Sequence, residues 1–226
     1  MGLELYAKVE HLLGIDQATV ELHHYFFDLI DDQKPQTLLD VGCGKGTFLK
    51  KCKKEGINAV GIDLSLHMIE LSKEAGLSVS CQDISQTAGA YDAITAIFDV
   101  VNFLNVAELK SFFGEVSRLL KPEGKFYADI NTLYGFEEVA DGVLVHNDDK
   151  QTLTVEATFL EGRLTTDFTY FSLEDDCFKK ETDQITQYFY TIEDILKLTN
   201  LELQIEVPIE LYGDEPDKAI LVFSKK

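Results

Sequence analysis

The chain has 226 residues, 45% of them hydrophobic, which is enough for one substantial core and favours one domain over two. Its 20 Lys and Arg stand against 40 Asp and Glu, and the net charge of -20 repels phosphate backbones and anionic bilayers, so neither nucleic acid nor membrane is expected as a partner. Four scattered cysteines, Cys43, Cys52, Cys81 and Cys177, with no C-x-x-C pair and no leader ahead of them, signal neither a zinc site nor a disulfide framework and point to the cytoplasm.

In chain order, Ile15 to Ile30 reads as a helix with Asp16 as its N-cap. Short β-branched runs then alternate with amphipathic ones. Strands are predicted at Thr37 to Val41, Ala59 to Asp63, Leu77 to Cys81, Ala93 to Phe98 and Gly124 to Ile130. Helices are predicted at Thr47 to Glu55, Ser65 to Ala75 and Val106 to Leu120, with Pro122 and Gly124 marking the turn into the last strand. This βαβ spacing predicts an α/β fold, a Rossmann-like, doubly wound, mainly parallel sheet covered on both faces.

From about Val143 to Tyr190 the pattern changes. Leu153, Val155, Ala157 and Phe159 alternate with polar neighbours, the period of a sheet with one wet face. Two more strands are predicted at Leu164 to Phe171 and Lys179 to Tyr190, with Glu161-Gly162 as the first turn. Thr191 then caps a helix ending near Thr199, and strands at Leu203 to Val207 and Ala219 to Ser224 close the chain. The expected organisation is one domain over 1–226: an N-terminal helical cap at 1–36, a core at 37–133 and 191–226, and inserted antiparallel strands at 134–190 as a lid.

The most informative run is Leu38-Leu39-Asp40-Val41-Gly42-Cys43-Gly44-Lys45-Gly46-Thr47-Phe48. It joins a buried strand to a helix through glycines at every second position, which lets the backbone turn sharply and lie against a ligand. A dinucleotide-binding fingerprint, G-x-G-x-x-G, would need its third glycine at Thr47 rather than Gly46. The run resembles the first motif of the class I methyltransferases that use S-adenosylmethionine, acid included.

About twenty residues on, Asp63 closes a strand at the distance where a carboxylate can accept both ribose hydroxyls of a nucleoside. Its other reading is an N-cap for the next helix, a role for which Ser65 is available. The resemblance implies a cofactor site of Asp40, Gly42, Cys43, Gly44, Gly46, Asp63, Leu64, Met68, Asp83, Ile84, Phe98 and Asp99. Asp83 would meet the adenine amine, or else be a turn aspartate. Phe98 and Asp99 would stand near the sulfonium and the amino acid tail. Asp40 would contact the ammonium group or tie down the glycine loop. Tyr6, Asn102, Phe103 and Tyr188 are candidate acceptor contacts, with Tyr25 a further residue at the N-terminal side. Gln187-Tyr188-Phe189-Tyr190 lacks the Arg or His that related enzymes tend to carry there, which disfavours an anionic acceptor.

The implied reaction moves a methyl group from S-adenosyl-L-methionine to nitrogen or oxygen of a small molecule by in-line displacement. Positioning carries such a step, so no catalytic dyad is expected. The five histidines show no pair with metal-ligand spacing, and no metal or catalytic histidine is assigned. The expected assembly is a monomer or homodimer. Two alternatives stay open, a catalytically silent methyltransferase-like binding subunit and, disfavoured by the glycine spacing, a nicotinamide-dependent oxidoreductase.

Overall fold

A computed structural model describes residues 3–31 and 34–225. Two helices open the chain, α1 (Leu3–Val9) and α2 (Asp16–Asp31). The alternating region follows as β1 (Thr37–Val41), α3 (Thr47–Lys54), β2 (Asn58–Asp63), α4 (Leu66–Glu74), β3 (Val79–Cys81), β4 (Tyr91–Ala96), α5 (Val106–Leu119) and β5 (Leu120–Asn131). Four strands come next, β6 (Gly142–Asn147), β7 (Gln151–Leu160), β8 (Arg163–Glu174) and β9 (Cys177–Tyr188). The chain ends with α6 (Ile192–Leu198), β10 (Glu202–Ile209) and β11 (Lys218–Ser224).

Seven strands form one sheet in the order β10-β11-β5-β4-β1-β2-β3. β1 runs parallel to both β2 and β4, β5 parallel to β4, and β11 antiparallel to β5 and β10. The order therefore reverses between β1 and β4, where an open α/β sheet leaves a crevice at the carboxyl ends of its strands. The period of two along β1 sends Leu38 to one face and Leu39 to the other. Leu38 packs with Leu22, Phe26 and Ile30 of α2 and Phe48 of α3. Leu39 packs with Phe113 and Val116 of α5, Ile195 of α6 and Leu221 of β11. Both faces are covered, which is why these strands read as nearly continuous apolar runs.

The other four strands form an antiparallel sheet, β6-β7-β8-β9. Glu161 and Gly162 both take positive φ, 51° and 74°, the geometry of a two-residue turn whose twist matches the strands it joins. The predicted turn stands, but four strands are present where three were expected. β6 has Val143, Leu144 and Val145 in succession on an exposed edge, and such a run carries no alternation to betray it. Smaller differences concern ends: β5 begins at Leu120 and takes in Pro122 and Gly124, which were expected in the turn ahead of it, and β3 begins at Val79 rather than Leu77. Asp16 is the first helical residue of α2 rather than its cap, where its charge still favours the first turn. β4 stops at Ala96 rather than Phe98, because Phe98 and Asp99 turn left-handed with φ of 65° and 62°.

The two sheets are clipped together by Asn102. Its Nδ2 donates to the Tyr188 carbonyl at 2.9 Å, its Oδ1 accepts the Asn131 amide at 3.0 Å, and its own carbonyl accepts the Tyr188 amide at 2.7 Å. α1 packs Leu5 and Val9 onto Leu153, Phe168 and Ile185 of the antiparallel sheet, and Lys8 pairs with Glu181. At its other end Glu4 accepts the Leu66 amide at 2.9 Å and the Ser65 hydroxyl at 3.1 Å. α1 therefore spans from the start of α4 to the antiparallel sheet. No helix among the described residues is long and apolar enough to cross a membrane.

Candidate functional site

A cavity opens along the carboxyl edge of β3, β2, β1 and β4, roofed by α1 and the start of α2. Its floor is the loop after β1. The Gly42 and Cys43 amides donate to the Ile62 carbonyl at 2.8 and 3.0 Å, tying the loop to β2. Gly44 has a φ of 52°, and a Cβ built on it meets nothing within 4 Å. At this position glycine is required by the backbone conformation and leaves the space beside the loop open.

Asp63 holds that loop from the next strand. Its Oδ2 accepts the Gly44 amide at 2.9 Å and its Oδ1 the Ser65 amide at 2.8 Å. Burial raises its pKa, and the two amides work against that rise. Each carboxylate oxygen keeps a further lone pair for a ligand. Ser65 caps α4 by accepting the Met68 amide at 3.3 Å, which leaves Asp63 free of the helix-capping role. Asp40, 2% exposed, takes the Thr95 hydroxyl at 2.8 Å and makes no bond to the loop amides, so the loop is tied by Asp63 and not by Asp40. With one hydrogen bond to offset its desolvation, burial pushes the Asp40 carboxyl up to about 7.

Asp83 sits at the β3 end of the cavity and caps the short turn Ile84–Gln86, accepting the Ser85 amide at 2.9 Å. At the β4 end, the left-handed Phe98 and Asp99 are held by Asp129, which accepts their amides at 2.7 and 3.2 Å. Two consecutive non-glycine residues at positive φ are strained and persist only where the surroundings impose them.

Of the residues expected to hold the cofactor, Asp40, Gly42, Cys43, Gly44, Asp63, Leu64, Met68, Asp83, Ile84 and Phe98 line the cavity, as do Tyr6 and Phe103 of the acceptor set. The rest lie off its wall, each for a structural reason. Gly46 turns into α3, against Ser72 and Leu77. Asp99 turns to Lys218, with which it pairs, and to the Gln187 side chain at 3.3 Å. Burial alone would raise the Asp99 carboxyl, and the Lys218 charge overrides it. Asn102 spends its amide on the clip between the sheets. Tyr188 points to the α5 side and to Arg163, because the strand period sends Gln187 inward instead. Tyr25 packs into the cluster between α2 and α3.

Two residues at this site carried no sequence signal that was used. His23 lines the cavity one helical turn beyond Thr19, which lines it too, so the i, i+4 spacing along α2 was the available clue. Its imidazole is pushed down to about 4 by burial and by Lys51. Lys218 opens an apolar strand, and its buried ammonium joins Asp99, Asp129 and Asn131.

Residues 39–128 match the methyltransferase domain family. This match and the likeness to solved structures support a class I methyltransferase that uses S-adenosylmethionine. The ubiquinone biosynthesis O-methyltransferase of Methylococcus capsulatus is 36% identical over 102 residues, covering 41% of this chain and 43% of that protein. The chain spans about half the length of the curated relatives it matches, 52% and 45% of two of them. Among solved structures, an S-adenosylmethionine-dependent methyltransferase from Clostridium acetobutylicum superposes with a TM-score of 0.80 at 22% identity, covering 98% of this chain and 99% of that one. S-adenosylmethionine-bound CalS10 of Micromonospora echinaspora, an amino pentose methyltransferase, gives 0.70 at 19% identity over 98% and 97% of the two chains. At these identities the structural likeness speaks for the fold. The methyltransferase fold thus includes the antiparallel sheet as well as the parallel one.

Proposed function

We propose that this methyltransferase moves a methyl group from S-adenosyl-L-methionine to nitrogen or oxygen of a small-molecule acceptor by direct in-line displacement. The observation that carries this reading is the bond from the Gly44 amide to Asp63, which sets a Cβ-free loop and a carboxylate side by side, next to the point where strand order reverses. The residues fit the donor: Gly44 leaves room for it, and both Asp63 oxygens retain acceptor capacity after their amide bonds.

The order of strands gives the order of contacts. Asp83 and Ile84 beyond β3, with Leu64 and Met68, would hold the adenine. Asp63 at the end of β2 would accept the ribose hydroxyls, and Asp40 with the Gly42 to Gly44 loop would take the amino acid tail. Phe98 at the end of β4 would then stand beside the methyl group. Once bound, the donor supplies a methyl group already activated on a sulfonium. The chain's own task is to align the acceptor with it and keep water out, and positioning of this kind contributes up to roughly 7 to 11 kcal/mol. The antiparallel sheet and α1 would form the lid on the acceptor side.

Relatives named for O-methylation and for amino-sugar methylation both fit a small-molecule acceptor. The free cysteines suit the reducing cytoplasm as its compartment, and the working assembly would be a monomer or homodimer. Isothermal titration with S-adenosylhomocysteine tests the reading. Saturable binding should vanish in Gly44→Val and weaken strongly in Asp63→Ala, and a wild-type chain that does not bind would end it.

A further inference from the structure

We propose that the acceptor is an amine on an apolar body, docked at the β4 end of the cavity with an N–H on the His23 imidazole and its body against Tyr6 and Phe103. This rests on the methyl-transfer reading. His23 is 8% exposed, lines the cavity and has no hydrogen-bond partner among the described residues. Its ring packs beside Phe48 at 5.3 Å and Phe98 at 6.5 Å between centroids. Its nitrogens are not among the sealed, unsatisfied polar atoms of the described residues, so the ring keeps hydrogen-bonding capacity that a ligand in the cavity can use. Because burial keeps the imidazole neutral at pH 7, one ring nitrogen is a bare acceptor for an N–H.

The charge of the wall selects against an anion. Of the acids that line the cavity, Asp40, Asp63 and Asp83 would face the donor, which leaves Glu10 on the acceptor side. The nearby cations are already paired: Lys45 by Glu10 at 3.3 Å and Asp16 at 3.7 Å, and Lys218, which lies over the Phe98 ring, by Asp99 and Asp129. Tyr6 presents an aromatic face and a hydroxyl with no partner among the described residues, held protonated by burial and by Glu10 and Asp99. Aromatic walls in a negative field suit an amine that arrives as an ammonium. That ammonium gives one proton to solvent. The nitrogen lone pair then forms the new N–C bond as the S–C bond breaks and its electron pair passes to sulfur, and the methylated ammonium returns its surplus proton to solvent.

The test uses the full chain saturated with S-adenosylhomocysteine and three probes on one skeleton: phenethylamine, phenethyl alcohol and phenylacetate. Calorimetry should show phenethylamine binding at least about tenfold more tightly than phenylacetate. His23→Phe should weaken phenethylamine about tenfold and leave S-adenosylhomocysteine within about twofold. His23→Asn, which restores an accepting oxygen, should recover part of the loss and carries the comparison if His23→Phe does not fold. Phenylacetate binding as tightly as the amine, no binding by any probe, or a His23→Phe effect on S-adenosylhomocysteine in place of the amine would each overturn the proposal. A wild-type chain that fails to bind S-adenosylhomocysteine would instead remove the methyl-transfer reading beneath it.

Discussion

Lys218 Nζ stands 3.0 Å from the Asp129 carboxylate, with 2% of the lysine side chain and none of the aspartate reached by solvent. The same ammonium pairs with Asp99 and bonds Asn131 Oδ1 at 2.8 Å. Because Asp129 holds the left-handed Phe98 and Asp99, Lys218 on β11 fixes the turn that brings Phe98 to the cavity. Lys218→Met strands the buried Asp129 carboxylate and the part-buried Asp99, and should cost about 3–5 kcal/mol in urea unfolding. Pairing it with Asp129→Asn should cost less than the sum of the two single changes. Wild-type stability in Lys218→Met would refute this account of the turn.

Asp40 makes stability depend on pH in an unusual direction for an acid. Its carboxyl titrates near 3.8 when unfolded and is pushed up to about 7 by burial in the folded chain. Between those values the folded state binds more protons than the unfolded one, so stability falls as pH rises. The slope from this group approaches about 1.4 kcal/mol per pH unit. Asp40→Asn should remove that slope and be the more stable protein at pH 7. If Asp40 faces the donor's ammonium, S-adenosylmethionine should also bind more tightly as pH rises through this window, and the variant should show a flat profile. Unfolding curves and titrations from pH 4 to 8 measure both.

Asn102 is a clip rather than an acceptor contact. Asn102→Ala leaves the Tyr188 carbonyl and the Asn131 amide without their partners, about 1–3 kcal/mol for each buried group. The expected result is a lower melting temperature and faster hydrogen exchange at the Asn131 amide, with S-adenosylhomocysteine affinity little changed in protein that remains folded. Unaltered exchange at Asn131 would argue against the clip.

Gly46 and Gly44 should separate stability from binding. A Cβ on Gly46 would overlap Leu77 and lie 2.9 Å from Ser72 Oγ, at a φ of 73°. Gly46→Ala should therefore destabilise the fold by roughly 2–4 kcal/mol. Gly44→Ala meets no protein atom, so only the cost of a left-handed alanine, about 1–2 kcal/mol, bears on its stability. Its larger effect should appear in the affinity for S-adenosylhomocysteine. Equal melting temperatures for the two variants would count against this division.

The parallel core was legible because its signals are local. The glycine loop, the acid that closes β2 and the Glu161-Gly162 turn each occupy a few consecutive residues whose chemistry permits one backbone path. β6 was not legible, since an edge strand exposed on both sides needs no alternation. The site divides in the same way. Asp63 and Gly44 are brought together by two adjacent parallel strands and one short helix, a unit that the chain announces over about twenty residues.

By itself, the sequence determined the βαβ alternation, the crevice over the glycine loop and the acid across from it, because turn chemistry and apolar period act over short spans. Only the tertiary structure decided that Gln187 rather than Tyr188 faces Asp99, that His23 looks into the cavity, and that Lys218 meets Asp99 across 119 positions of sequence. Those choices follow from strand register and from the packing of distant segments, and neither leaves a mark in the residues around the positions concerned.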